Sequence, residues 1–77
     1  MRAGELVRDL RLRRTMSQRE LAERAGTTQA VISRIEQGRS SPTVATLERI
    51  VAAMGESLVL STEPTGDPRS RASVGRR

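Results

Sequence analysis

Apolar residues recur along this chain at helical spacing in four short runs, each bounded by residues that start or stop a helix. In AGELVRDLRLRRT, Leu6, Val7 and Leu10 fall on one stripe while Arg8, Arg11, Arg13 and Arg14 occupy the rest. This predicts a helix over residues 3–13, with arginines suited to the negative end of its dipole. In MSQRELAERAG, Ser17 and Glu20 have the S-x-x-E spacing of a capping box, and Met16 sits where an apolar staple would pack. Leu21, Ala22 and Ala25 form a narrow apolar face, and Gly26 can close the helix in a left-handed conformation, so a second helix is expected over 17–25. TTQAVISRIEQG follows at once: Thr27 or Thr28 caps it, Ile32 and Ile35 face inward, and Gly38 ends it, giving a third helix over 28–37. In SPTVATLERIVAAMG, Ser41 is the expected cap, with Pro42 at the first helical position. Val44, Leu47, Ile50, Val51 and Met54 then recur inward as far as Gly55, for a fourth helix over 42–54.

The pattern changes at ESLVLSTEP. Leu58, Val59 and Leu60 are consecutive apolar residues between Gly55 and Pro64, too few for a helix, and they read as a short strand with no partner in the chain. Such a strand pairs with something outside, or the segment is an extension whose leucines cover the base of the helices. From residue 63 onward Gly, Pro, Ser and Arg dominate without periodicity, the signature of a disordered basic tail. The predicted organisation is a helical domain over 1–55, a strand or extension over 56–62 as a dimerisation element, and the tail over 63–77. The fold class is all-α, a compact four-to-five-helix domain with a short C-terminal β-strand pairing across a dimer.

A chain with little apolar material would bury the same residues more simply in one long helix than in two helices broken at Gly26. The break has a use. Two short helices joined through a glycine turn form a helix-turn-helix, which holds the polar face of the second helix outward, where it can enter the major groove of DNA. Ala22 is small where the two helices cross, Ile32 and Ile35 anchor the second from behind, and Gln29, Ala30, Ser33 and Arg34 remain free of core duties.

Charge supports this direction. Fourteen arginines and no lysines face nine acids, a net charge of +5. Residues 1–62 carry ten of the arginines against seven acids, so the excess is not confined to the tail. A small basic domain points to a polyanion, with nucleic acid ahead of an anionic membrane surface. Arginine also forks onto phosphate and guanine as lysine cannot. With 77 residues, no cysteine and no aromatic side chain, the core is small, and a second copy is the remaining route to further burial.

The same inventory argues against an enzyme. There is no histidine or cysteine, no serine with a visible base, no phosphate-cradling glycine loop, and no carboxylate spacing suited to a metal. No cofactor and no metal site are expected. No apolar run is long enough for a bilayer and no signal-peptide pattern is present, so a cytoplasmic location is the expectation.

Residues 5–58 resemble the lambda-repressor-like, Cro/CI-type helix-turn-helix domains of the XRE family. The resemblance rests on LRLRRTMSQRELAERAG, then TQAVISRIEQG, then SPTVATLERIVAAMG in that order and spacing. Thr27 departs from it, standing where the family usually has an apolar residue. The resemblance implies a sequence-specific double-stranded DNA-binding transcriptional regulator, most often a repressor, acting as a homodimer. Carried over by position, Gln29, Ala30, Ser33 and Arg34 become base-contacting residues, with glutamine suited to adenine and the alanine methyl to thymine. Gln18, Thr28, Arg39, Ser40 and Thr43 become phosphate contacts. Arg11 and Glu36 match a structural ion pair. The SLVLS segment resembles the end of antitoxin-type members, the HipB type among them, in which Leu58, Val59 and Leu60 would lie at the dimer interface. The alternative function is accordingly an antitoxin that binds its operator and a toxin protein.

Overall fold

The computed structural model describes residues 2–64; of the basic tail expected over 63–77, residues 65–77 lie outside the described residues. Four helices follow in chain order: α1 (Ala3–Arg13), α2 (Gln18–Ala25), α3 (Gln29–Glu36) and α4 (Val44–Ala52). α3 packs against both α1 and α2, and α4 lies against α2 and α1, so the first two helices form a cradle with α3 on one side. The core is aliphatic: Val7, Leu21, Ile32 and Ile50 are fully enclosed, Met16, Ala22, Ala25, Ile35 and Met54 are buried with them, and Leu10, Val31 and Leu47 pack on the outside. Most of these are inward residues that the helical spacing predicts; Val31 joins them unpredicted, while Leu6 and Val44 of the prediction lie outside the cluster. The Val44 side chain is 52% exposed, because Val44 is the first residue of α4 and stands beyond the reach of the core.

Local chemistry sets the helix ends. The Ser17 hydroxyl accepts from the Glu20 amide at 2.9 Å, and the Glu20 carboxylate reaches back to the Ser17 amide at 3.4 Å, closing the expected capping box. Gly26 takes the left-handed conformation at φ 71°, ψ 35°, and the Thr27 amide returns to the Ala22 carbonyl at 2.9 Å, so the chain reverses directly from α2 into α3. α3 is capped by Thr28, whose hydroxyl accepts from the Val31 amide.

α4 is shorter than the apolar pattern predicts. Its cap is Thr43 rather than Ser41, with the Thr43 hydroxyl accepting from the Thr46 amide at 3.1 Å, and Pro42 lies outside the helix. A hydroxyl three residues before a free amide outcompetes proline's fixed φ as the starting point. The strand expected over 56–62 is absent: residues 56–64 carry no regular structure, and no strand occurs among the described residues. A strand requires a neighbouring backbone, and among the described residues none is offered. Leu58 is half-buried, while Val59 and Leu60 are 82% and 66% exposed. No helix among the described residues is long and apolar enough to cross a membrane.

Candidate nucleic-acid interface

α3 is fixed from behind. Ile32 and Ile35 are 0% and 2% exposed, and the opposite side of the same helix carries Ala30, Ser33 and Arg34, with Gln29 at its margin and Gln37 following as the C-cap. Gln29, Ala30 and Arg34 are exposed and Ser33 is partly so. The chain then leaves α3 through an exposed turn bearing Arg39 and Ser40 and reaches Thr43 at the head of α4. The residues predicted to touch bases and most of those predicted to touch phosphate thus lie on α3 and the loop after it. Leu58, Val59 and Leu60 belong to the segment beyond α4.

Beneath α3 lies one enclosed ionic cluster. The Arg11 guanidinium, from α1, grips the Glu36 carboxylate at the end of α3 through two bonds, Nε to Oε2 at 2.7 Å and Nη2 to Oε1 at 3.0 Å. Its Nη1 donates to the Met16 carbonyl at 2.9 Å. The Gln18 side chain adds a further bond to Glu36 Oε1 at 3.1 Å. The Glu36 side chain is only 4% exposed, and burial alone would raise its pKa. Hydrogen bonds from Arg11 and Gln18, with the charges of Arg11 and Arg8, outweigh burial and hold the carboxyl below its ordinary value. The bond to Glu36 likewise raises the Arg11 guanidinium, against the lowering effect of its own burial. The expected Arg11–Glu36 pair is therefore formed, and it ties α3 to α1.

The cluster has an electrostatic consequence for the outer surface. Between residues 25 and 47 the only carboxylate in the sequence is Glu36. It is turned inward and neutralised, which leaves the side of α3 facing water with Arg34 and Arg39 and no opposing acid of its own. Neither arginine belongs to any ion pair among the described residues. By contrast Arg19 and Arg24, on α2, pair with Glu23 and Glu20.

Several predicted phosphate contacts have part of their hydrogen-bonding capacity engaged. Gln18 commits one amide hydrogen to Glu36 and keeps the other. The Thr28 hydroxyl accepts as a cap and retains its proton. The Thr43 hydroxyl both accepts from the Thr46 amide and donates to the Thr46 hydroxyl at 3.0 Å, so what it can offer an anion is the backbone at the start of α4.

Two residues of this region escape the pattern reading. Gln37 is the C-cap of α3, one turn beyond Ser33, and bonds both Ser33 and Arg39; the four-residue spacing from Ser33 was the available signal. Gly4, in α1, is buried against the end of α3, where a β-carbon would come within 2.2 Å of the Ile35 carbonyl oxygen. Nothing in the local sequence signals that approach.

Comparison with known proteins places the arrangement. A helix-turn-helix family model matches residues 7–60, most of the described chain. The chain belongs to the Cro/CI-type helix-turn-helix family. Within it, the HTH-type transcriptional regulator PuuR of Escherichia coli is 38% identical over 55 residues, 71% of this chain and 30% of PuuR. The HTH-type transcriptional regulator y4dJ of Sinorhizobium fredii is 38% identical over 58 residues, covering 75% of both chains. The immunity repressor of Bacillus phage phi105 is 33% identical over 55 residues, 71% of this chain and 38% of the repressor. The chain thus spans about a third of PuuR and of the phage repressor, and three-quarters of y4dJ. The matched family is one of helix-turn-helix DNA-binding regulators, and α2 and α3 form the helix-turn-helix of this chain.

Proposed function

We propose that this helix-turn-helix protein binds double-stranded DNA in a sequence-specific manner by seating α3 in the major groove, as a homodimer, and that it represses transcription. The observation that carries the reading is the two-sidedness of α3: buried isoleucines behind, a polar acid-free face in front. A groove between two phosphate strands favours a basic, acid-free face electrostatically over one bearing several free carboxylates. The names of the similar proteins, transcriptional regulators and an immunity repressor, support the regulatory role.

In this reading Gln29 pairs with adenine, Ala30 meets a thymine methyl, Arg34 forks onto guanine, and Ser33 donates or accepts at a base edge. Thr28, Arg39 and Ser40 hold phosphates, joined by Gln18 through its remaining amide hydrogen and by Thr43 through the amides at the start of α4. A single reading helix covers few base pairs, so two copies on half-sites about 10 bp apart supply the specificity.

Selection from random DNA fragments, followed by sequencing, tests the whole reading: a two-fold symmetric motif is expected. On the selected site Gln29→Ala weakens binding by ~1–3 kcal/mol and spares random DNA. Arg39→Ala weakens all sequences alike and reduces the salt slope by about one. Equal effects of both substitutions on matched and random DNA would remove the assignment.

A further inference from the structure

The start of α1 presses on the end of α3 because residue 4 has no side chain: a β-carbon on Gly4 would come within 2.2 Å of the Ile35 carbonyl oxygen. That approach carries Arg2, the residue before α1, onto the turn that follows α3. Gly38 in this turn is left-handed at φ 75°, and Arg2 Nη1 lies 3.7 Å from where a β-carbon on Gly38 would stand. The next two residues are Arg39 and Ser40. Arg2, Gly38, Ser40, Ser41 and Pro42 line one open cleft between α1 and the loop, and no carboxylate lines it with them.

The cleft is rich in donors that the fold does not use. The Arg2 guanidinium donates no hydrogen bond and joins no ion pair among the described residues. Glu5, the nearest acid in sequence, is turned back to accept from the Arg2 amide at 3.4 Å. Thr43 relieves Ser41 of the capping role, and Ser40 and Ser41 are both exposed. Arg39 commits Nη1 to Gln37 and keeps its other donors. Two arginines thus flank one turn, an arrangement of like charge that an anion relieves.

We infer that Arg2 is a further phosphate-binding residue: with Ser40 and Ser41 it holds a DNA backbone phosphate in the cleft between α1 and the loop after α3. The role rests on the proposed seating of α3 in the major groove, which brings that loop to the DNA backbone. A guanidinium forks onto the two free oxygens of a phosphodiester, and serine hydroxyls add single bonds. Such a contact fixes the position of the domain and adds affinity without choosing sequence. Arg2 also stands near the negative end of α3, where a cation stabilises the free protein. The two roles differ in whether the charge acts on the fold or on DNA.

Binding of the full chain and its Arg2→Ala, Arg2→Lys and Arg39→Ala variants to the selected duplex and to random DNA, over a range of salt, separates them. At about 0.1 M salt Arg2→Ala is expected to bind both duplexes roughly three- to tenfold more weakly, with the salt slope reduced by about one for each bound copy. Arg2→Lys keeps the slope, because the charge remains. Neutral methylphosphonate in place of single phosphates of the selected duplex gives the residue-level reading. At one position in each half-site it weakens wild type severalfold and leaves Arg2→Ala unaffected. Urea denaturation shows that the variants remain folded. Unchanged affinity and salt slope in Arg2→Ala overturn the inference, and a loss of stability alongside them makes Arg2 a cap for the end of α3. An Arg2→Ala protein that still senses every phosphate that wild type senses overturns it as well. In either case the expected effect of Arg39→Ala leaves the proposed function standing. Failure of the wild type to enrich any duplex overturns both.

Discussion

Thr15 is a β-branched residue at φ 51°, in the left-handed region where a side chain crowds the adjacent backbone. It closes α1 as Gly26 closes α2: the Thr15 amide returns to the Leu12 carbonyl at 3.0 Å and the Met16 amide to the Arg11 carbonyl at 3.0 Å. Burial of Met16 on the core and the Arg11 bond to its carbonyl hold the turn despite this cost. Thr15→Gly is expected to stabilise the fold by about 1 kcal/mol, the left-handed penalty removed less the entropy that glycine adds to the unfolded chain. Urea denaturation measures it, and a loss of stability would refute the strain. Gly4 has the opposite sensitivity. Alanine is the better helix former by about 1 kcal/mol, yet a methyl there would press on the Ile35 carbonyl, which is backbone and cannot rotate aside. Gly4→Ala is therefore expected to cost about 2 kcal/mol overall, as overpacked cores do, and chemical denaturation decides the sign.

At the scale of elements, the joint between α1 and α3 rests on Arg11, Glu36 and Gln18. Removing one partner of an enclosed ion pair leaves the other charge without compensation, so Glu36→Gln is expected to cost about 3 kcal/mol. The pH dependence has a definite sign. Because folding lowers the Glu36 pKa, the carboxylate contributes stability above the ordinary glutamate value near 4.5, and that contribution is lost as pH falls through the lowered folded value. Wild type should accordingly lose stability toward acid more steeply than Glu36→Gln, and the two unfolding profiles should converge at low pH. The helices themselves were legible because their spacing, capping serine and closing glycine act within a few residues of one another. Pro42 misled at the start of α4, since a nearby threonine supplied a better cap. Gly4 and the Gln18–Glu36 bond were not legible, because each depends on segments brought together only by folding.

For the whole molecule, the proposed pairing of two copies turns on the exposed end of the described chain. Val59 and Leu60 are exposed beyond α4, in a segment whose backbone has no strand partner among the described residues. A second copy would supply both the missing hydrogen bonds and cover for the side chains. Four such side chains across a two-fold axis contribute about 1.5–2 kcal/mol each. That sum is comparable to the estimated 4–15 kcal/mol that association costs in lost freedom. The free dimer should therefore be weak, with a dissociation constant in the micromolar range or above, and DNA carrying two half-sites should strengthen it by holding both copies at a high effective concentration. Val59→Asp with Leu60→Asp places like charges opposite one another at the axis and removes the apolar cover. Its expected effect is at least a tenfold weaker dimer in sedimentation equilibrium and a similar loss on a two-half-site duplex, with helical content and binding to an isolated half-site unchanged. Self-association indifferent to these substitutions would place the contact between copies on another surface, and the segment beyond α4 would then be an extension of the bundle without a role in pairing.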